Sequence, residues 1–311
     1  MVNGLNLLFQ FLDSFAFIVL AAAGLAIIFG IMGVINLAHG EFIMVGAYAT
    51  TLAHIRAGLP LVVAMLVGVA VSAVFGLVVE RVIISGWLPN LIGQRALGRD
   101  VVEPLYDRLA DSMVATWGLS LIMVQGVRVT LGNSLDQIGT PLGNVAYANF
   151  SYSTYRILLA GVALSVLAVT YYVFTRTEYG MRARATIQDE DTARAMGVDT
   201  GRTYMTTFTI GSALAGLTGA LYAPTITMVP GLGSSFLVES FVAVVVGGPS
   251  VVLGTTLAGG LLGAINAAFS NLIGTFAGRI ALLLTAIVMI RFLPEGLTGL
   301  LESWRERREA A

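Results

Sequence analysis

Long apolar runs broken by short polar stretches set the pattern of this chain. A bilayer hydrocarbon core of about 30 Å takes about 20 apolar residues in helix, with every backbone group bonded inside the segment. Read on that basis, residues 5–33, 36–57, 61–84, 111–132, 154–175, 204–228, 250–272 and 279–298 are candidate spans. A ninth stretch, 236–247, is too short for an easy crossing and reads as a re-entrant segment or half of a broken helix. The expectation is an all-α, polytopic transmembrane helix bundle of about nine crossings over residues 1–311, as a single domain.

The polar stretches give an orientation. Segment 176–203 carries Arg176, Arg182, Arg184, Arg194 and Arg202, and the C-terminal end carries Arg305, Arg307 and Arg308. The positive-inside rule puts both in the cytoplasm. Counting back five crossings places residue 1 outside, and it also places 85–110, with Arg95, Arg99 and Arg108, inside. That segment also holds Asp100, Glu103 and Asp107 and reads as solvated, while Trp87, Tyr106, Tyr171, Tyr172 and Trp304 near span ends read as interfacial anchors. Residues 1–10 lack the basic start of a secretory signal, so the N-terminal stretch is expected to remain in the mature protein.

Composition narrows the chemistry. Of 311 residues, 57% are hydrophobic and 11% charged, against roughly 25% charged in a soluble domain. A net charge of -1 gives no case for nucleic acid. All 17 basic residues are arginine, which excludes a P-loop lysine and a Schiff base, and the lack of cysteine excludes thiol chemistry and cysteine-ligated metals. With two histidines and no nucleophile beside a base, neither a metal set nor an enzyme site emerges, and no cofactor is implied.

Three features stand out from a generic bundle. NLAHGEF, residues 36–42, sets Asn36, His39 and Glu41 between apolar runs; a charge at mid-bilayer costs at least about 2.5 kcal/mol, so Glu41 should face protein or a watery cavity. Gly33 and Gly40 around it suggest an interrupted helix. These polar groups either line a solute path or simply tie helices together by hydrogen bonds. ESFVAVVVGG, residues 239–248, repeats the acidic residue near a phenylalanine; either the chain holds two related halves with Glu41 and Glu239 at matching positions, or the echo is coincidental. The loop 180–202 has Asp189, Glu190 and Asp191 at a helix start and Gly197 at its end, with a short helix over 192–196 between them. Ala193 and Met196 give that helix a small-residue face for docking into a partner, unless the loop is only a solvated connection. Gly211, Ala215 and Gly219, Ser212, Gly216 and Ala220, and Gly259 with Gly263 form small-residue faces for close helix contact.

At NLAHGEF the chain resembles the permease subunits of the branched-chain amino acid and urea ABC importers. The resemblance runs through GLAIIFGIMGVINLAHGEFIMVGAYAT (24–50), ATWGLSLI (115–122), the loop 182–197, GSALAGLTGAL (211–221), ESFVAVVVGG and RFLPEGLTGL (291–300). ATWGLSLI and the acidic-Ser-Phe at 239–241 look most like the urea and short-amide branch. Pro249 or Ser250 stands where members of the family carry glycine, and the 85–102 segment is longer than theirs.

The resemblance implies a second permease subunit, two cytoplasmic ATP-binding subunits, an extracytoplasmic solute-binding protein, and an inner-membrane location. It implies that 176–203 is a cytoplasmic coupling loop, with Arg184, Asp189, Asp191, Thr192, Ala193, Met196 and Gly197 receiving the ATPase motion. This subunit would then form half of a path for urea or short amides, with Asn36, His39, Glu41, Glu239, Ser240 and Thr255 along it. Branched-chain amino acids are the alternative solute. A self-sufficient ion-coupled secondary transporter, with Glu41, Glu239 and His39 carrying protons or ions, is the alternative class.

Overall fold

The computed structural model describes residues 2–97, 102–106, 108–147, 150–248 and 250–309. Arg99, Asp100, Asp107 and Pro249, and the side chains of Arg305, Arg307 and Arg308, lie outside what is described. The chain runs through α1 (Val2–Met32), α2 (His39–Ile55) and α3 (Leu61–Val79), the last continued by a π-helical turn, Glu80–Ile84. Then follow α4 (Trp87–Leu97), α5 (Leu109–Leu131), an antiparallel hairpin β1 (Asn144–Tyr147) and β2 (Phe150–Ser153), and α6 (Thr154–Arg176). Next come α7 (Glu178–Gln188), α8 (Glu190–Ala195), α9 (Thr200–Tyr222) and α10 (Leu232–Gly247), and finally α11 (Val251–Leu272), α12 (Thr275–Phe292) and α13 (Gly296–Glu309). This is an all-α, polytopic helical bundle.

Each of the nine expected spans corresponds to a helix, but six are long and apolar enough to cross a bilayer on those grounds alone: α1, α3 with its π turn, α5, α6, α11 and α12. Helices α2 and α10 have 17 and 16 residues, and α9 has 23 but is rich in threonine and serine. Burial accounts for the low apolarity of α2 and α9, since polar atoms on a helix surrounded by protein need not meet lipid. By contrast, α5 exposes Ile122 and Val129, and α12 exposes Phe276 and Phe292, an apolar surface suited to hydrocarbon. The 279–298 span sits a few residues earlier than expected because Leu293 ends α12 before α13 begins. The hairpin had no counterpart in the sequence reading.

The chain folds as two compact units. One comprises residues up to Ala26, Gly139–Tyr171 and those from Val238 on; the other comprises Ile27–Ile138 and Tyr172–Leu237. In the first unit, Ile18, Ala22 and Leu25 of α1 pack with Ala243 and Val244 of α10, Leu262 of α11 and Leu282 of α12. In the second, α2, α3 and α9 pack tightly together. A Cβ at Gly219 would strike the Ile43 carbonyl, one at Gly46 the backbone of Gly216, and one at Gly216 the Ser72 side chain. The small-residue faces on α9 are therefore contact faces within this unit, and Gly259 and Gly263 play that part against Val19 and Phe15 in the first.

Candidate functional site

The interruption expected around Gly33 is present. Helix α1 stops at Met32, Gly33 turns with φ +65°, and residues 33–38 are irregular until α2 begins at His39. An ordinary side chain at Gly33 would pay for that left-handed conformation, which glycine adopts freely. The break is held by polar atoms from α5. The Leu37 amide donates to Thr116 Oγ1 at 3.0 Å, and the same hydroxyl lies 3.4 Å from the Ile35 carbonyl. Asn36 closes the turn on itself, its Oδ1 accepting from the Ala38 amide at 3.0 Å. The first turn of α2 then abuts the first turn of α10, where Gly40 and Gly233 meet backbone to backbone with no room for a Cβ on either.

Asn36, His39 and Glu41 are all buried around this break. Glu41 Oε1 accepts from Ser120 Oγ at 2.8 Å, and its position in the first turn of α2 gives it the favourable end of the helix dipole. Its other oxygen, Oε2, and the Asn36 amide nitrogen are buried without a hydrogen-bond partner among the described residues. Such groups cost about 1–3 kcal/mol each when left unmade, so both would gain from a hydrogen-bonding partner. Thr116 and Ser120 were missed as site residues, although a signal existed: Ser112, Thr116 and Ser120 recur every four residues along an otherwise lipid-facing α5.

Glu239, Ser240 and Thr255 belong to the other unit. Glu239 lies mid-way along α10 and pairs with Arg279 of α12 at 3.4 Å. Ser240 is buried, and the Thr255 hydroxyl is spent on the Val251 carbonyl of its own helix. Gly40 and Gly233 are each the second residue of their helices. Glu41, third in its helix, and Glu239, eighth in its own, thus occupy different positions in these elements.

The segment 176–203, expected as the coupling loop, holds α7, α8 and the start of α9, each opened by a side-chain cap. Thr177 accepts from the Gly180 amide, Asp189 from the Thr192 amide at 3.1 Å, and Asp199 from the Arg202 amide at 2.9 Å. The Thr192 hydroxyl and amide together hold the Asp189 carboxyl below its ordinary range. Helix α8 covers Glu190–Ala195 in place of the expected 192–196, because Asp189 caps it earlier, and Gly197 ends it with φ +88°. Arg184, Asp191, Thr192, Met196 and Gly197 are exposed. Ala193 is buried against its own chain, so the expected docking face keeps Met196 but not Ala193. Beside Met196 an open groove of about 700 Å³ is lined by Arg182, Tyr179, Asp199 and Arg202. Burial pushes the Tyr179 phenol up.

Trp87, Tyr171, Tyr172 and Trp304 are exposed as interfacial anchors require. Tyr106 departs from that expectation. Its hydroxyl donates to Glu80 Oε1 at 2.5 Å, and burial together with that carboxylate pushes its phenol well up. The 85–110 segment is therefore not simply solvated where it passes the π turn.

A family model described as the branched-chain amino acid transport system permease component matches residues 7–293. The chain is 26% identical to the high-affinity branched-chain amino acid transport system permease protein BraD of Pseudomonas aeruginosa, with 90% of this chain and 91% of that protein covered. It is equally similar to LivH, of the same description, from Escherichia coli K12, with 90% of each covered. A probable branched-chain amino acid transport permease protein LivH of Methanocaldococcus jannaschii is also 26% identical, over 93% of this chain and 90% of its own length. No solved structure matches the chain.

Proposed function

Because this chain belongs to the family of branched-chain amino acid transport permease components, we propose that it is the membrane subunit of an ATP-driven importer and forms half of the path for a branched-chain amino acid. The helix break at residues 33–38 is the observation that carries this reading. It leaves a carboxylate oxygen of Glu41 and the amide N–H of Asn36 buried and unpartnered among the described residues. A zwitterion offers the complementary groups, an ammonium to the first and a carboxylate to the second. Urea has no charge to match Glu41, and the relatives' names favour branched-chain amino acids over urea. Trp117 and Phe241, within the two motifs that carry the urea likeness, are exposed in this chain.

Energy enters from outside this polypeptide. ATP-binding subunits dock at the exposed loop around Met196 and its arginine-lined groove, and closure of those subunits drives the break between inward- and outward-facing arrangements. A solute-binding protein delivers amino acid to the outer mouth, a second permease subunit completes the path, and the N-terminus lies outside with the C-terminus in the cytoplasm. The test is reconstitution in liposomes. The complex with its ATP-binding and solute-binding subunits should accumulate tritiated leucine only with ATP, with excess urea failing to compete. Leucine or ion-driven uptake by this chain alone, under a proton gradient and without nucleotide, would establish the secondary-transporter alternative instead.

A further inference from the structure

The coupling loop and the membrane helices are joined by a chain of side chains that the permease role does not itself require. Glu80 sits at the start of the π-helical turn ending α3 and is completely buried. Such turns interrupt helices mostly at functional positions, and this one is fixed by Ser85, whose amide and hydroxyl both reach the Glu80 carbonyl, at 2.8 and 2.9 Å. Its carboxylate meets the Tyr106 hydroxyl on one oxygen and Arg81 Nε, 3.5 Å away, on the other. The segment bearing Tyr106 is pinned at two points. The Leu105 amide donates to the Ile84 carbonyl at 2.8 Å, and Val102 exchanges two hydrogen bonds with Asn90 of α4.

From Tyr106 the chain continues to the cytoplasmic loop. The Tyr106 and Tyr204 rings lie 4.5 Å apart between centroids, and the Tyr204 hydroxyl donates to Glu190 Oε2 of α8 at 2.9 Å. Glu190 is in turn paired with Arg194. Beside this series lies a cleft of about 520 Å³, bounded by the last turn of α1, Tyr106, Leu109, Tyr204 and the start of α8. The cleft leaves α8 room to move toward Gly33, where the helix break begins.

We propose that Tyr106 and Glu80 are positioning residues for transport, forming with Tyr204 and Glu190 a relay that carries displacement of α8 into α3 and the helix break. The relay rests on the permease reading. A shift of α8 pulls Tyr204 through Glu190, the tilted ring contact carries Tyr106 along, and Tyr106 cannot lag without stripping a buried carboxylate of its hydroxyl donor. Helix α3 follows, and with it α2 and α9, which pack against it. Burial and the Glu80 charge keep the Tyr106 phenol protonated and therefore able to donate.

The experiment uses the reconstituted complex with ATP and tritiated leucine. Tyr106→Phe and Tyr204→Phe should each lower leucine imported per ATP hydrolysed by about fivefold or more, while hydrolysis and subunit assembly stay within about twofold. Tyr172→Phe, exposed on α6, should change neither. Should Tyr106→Phe fold poorly, the Glu80→Leu/Tyr106→Phe double variant replaces the polar pair with an apolar one and should restore the fold while remaining uncoupled. Hydrogen exchange on the complex supplies a readout independent of transport: Tyr106→Phe should raise exchange at 102–106 and at 190–195 together. Proportional loss of import and hydrolysis, or raised exchange at 102–106 alone, overturns the relay. If the wild-type complex imports no leucine, the leucine assignment fails and the exchange result alone decides the relay.

Discussion

The two compact units build helix contacts from the same small residues, and they differ in where the closest approaches fall. Around α2, α3 and α9, backbone meets backbone: Gly46 lies on Gly216, Gly219 on the Ile43 carbonyl, and the Ser72 hydroxyl reaches both the Phe42 and Ser212 carbonyls, at 3.1 and 2.9 Å. In the other unit, Gly247 and Gly254 also meet backbone to backbone, as do Gly248 and Gly296, and Gly263 faces the Phe15 backbone, while Gly259 receives the Val19 and Phe15 side chains over a core of aliphatic residues. Direct backbone contact leaves no rotamer free to adjust, whereas side-chain packing can absorb small displacements. The buried polar break at residues 33–38 leads into α2, whose Gly40 and Gly46 both meet backbone directly. Rigid support of that kind suits a site whose polar atoms must stay in place without partners.

The acidic residues also differ between the units. Glu41 is held by a serine hydroxyl and a helix start, with no counter-ion among the described residues, whereas Glu239 has Arg279. An ion pair is a sufficient structural reason for Glu239 to be there; Glu41 has no such reason.

The largest expected effect is steric. Gly219→Val should prevent assembly of a folded permease, and Gly219→Ala should cost about 3 kcal/mol, against about 1 kcal/mol for Gly259→Ala, which meets only the end of Val19 and the edge of Phe15. Thermal unfolding in detergent with monodisperse yield checks the ranking, and equal tolerance at both sites would erase the contrast. Next comes Glu41→Leu, which removes a charged hydrogen bond of about 1.5–3 kcal/mol at the break and should lower ATP-driven leucine import by about tenfold or more. Glu41→Gln should retain assembly and lose less.

Arg279→Met should destabilise the other unit by about 1–3 kcal/mol, since it strands a mostly buried carboxylate, while Glu239→Gln leaves a half-exposed arginine that water can solvate and should cost little. The double variant should recover most of the loss; a simple sum of the single effects would mean that the pair is not the reason. The smallest effect concerns α8. An acid held below its ordinary value of 3.8 contributes stability at higher pH and loses it as pH falls through the folded value. Exchange protection at 190–195 should therefore be flat above about pH 5 and drop below about pH 4, a drop that Asp189→Asn should abolish.

Helix existence, apolar faces and the interruption at Gly33 were all legible in the sequence, because each depends on local composition: run length against bilayer thickness, small residues every four positions, and a glycine before a polar motif. The caps at Asp189 and Gly197 were legible for the same reason. Partnership was not. Nothing local distinguishes Ala193, buried, from Met196, exposed, or shows that Tyr106 reaches Glu80 when most neighbouring aromatics face outward. Nor could an echo of acidic residue and phenylalanine reveal that Glu41 starts one helix while Glu239 sits within another beside an arginine. Hydrogen bonding and burial are decided between segments far apart in the chain, here 79 residues between Glu41 and Ser120 and 26 between Glu80 and Tyr106. Spacing along one strand of sequence cannot encode which remote atoms fall within 3 Å, and that distance is what separates a structural tie from a site left open for a solute.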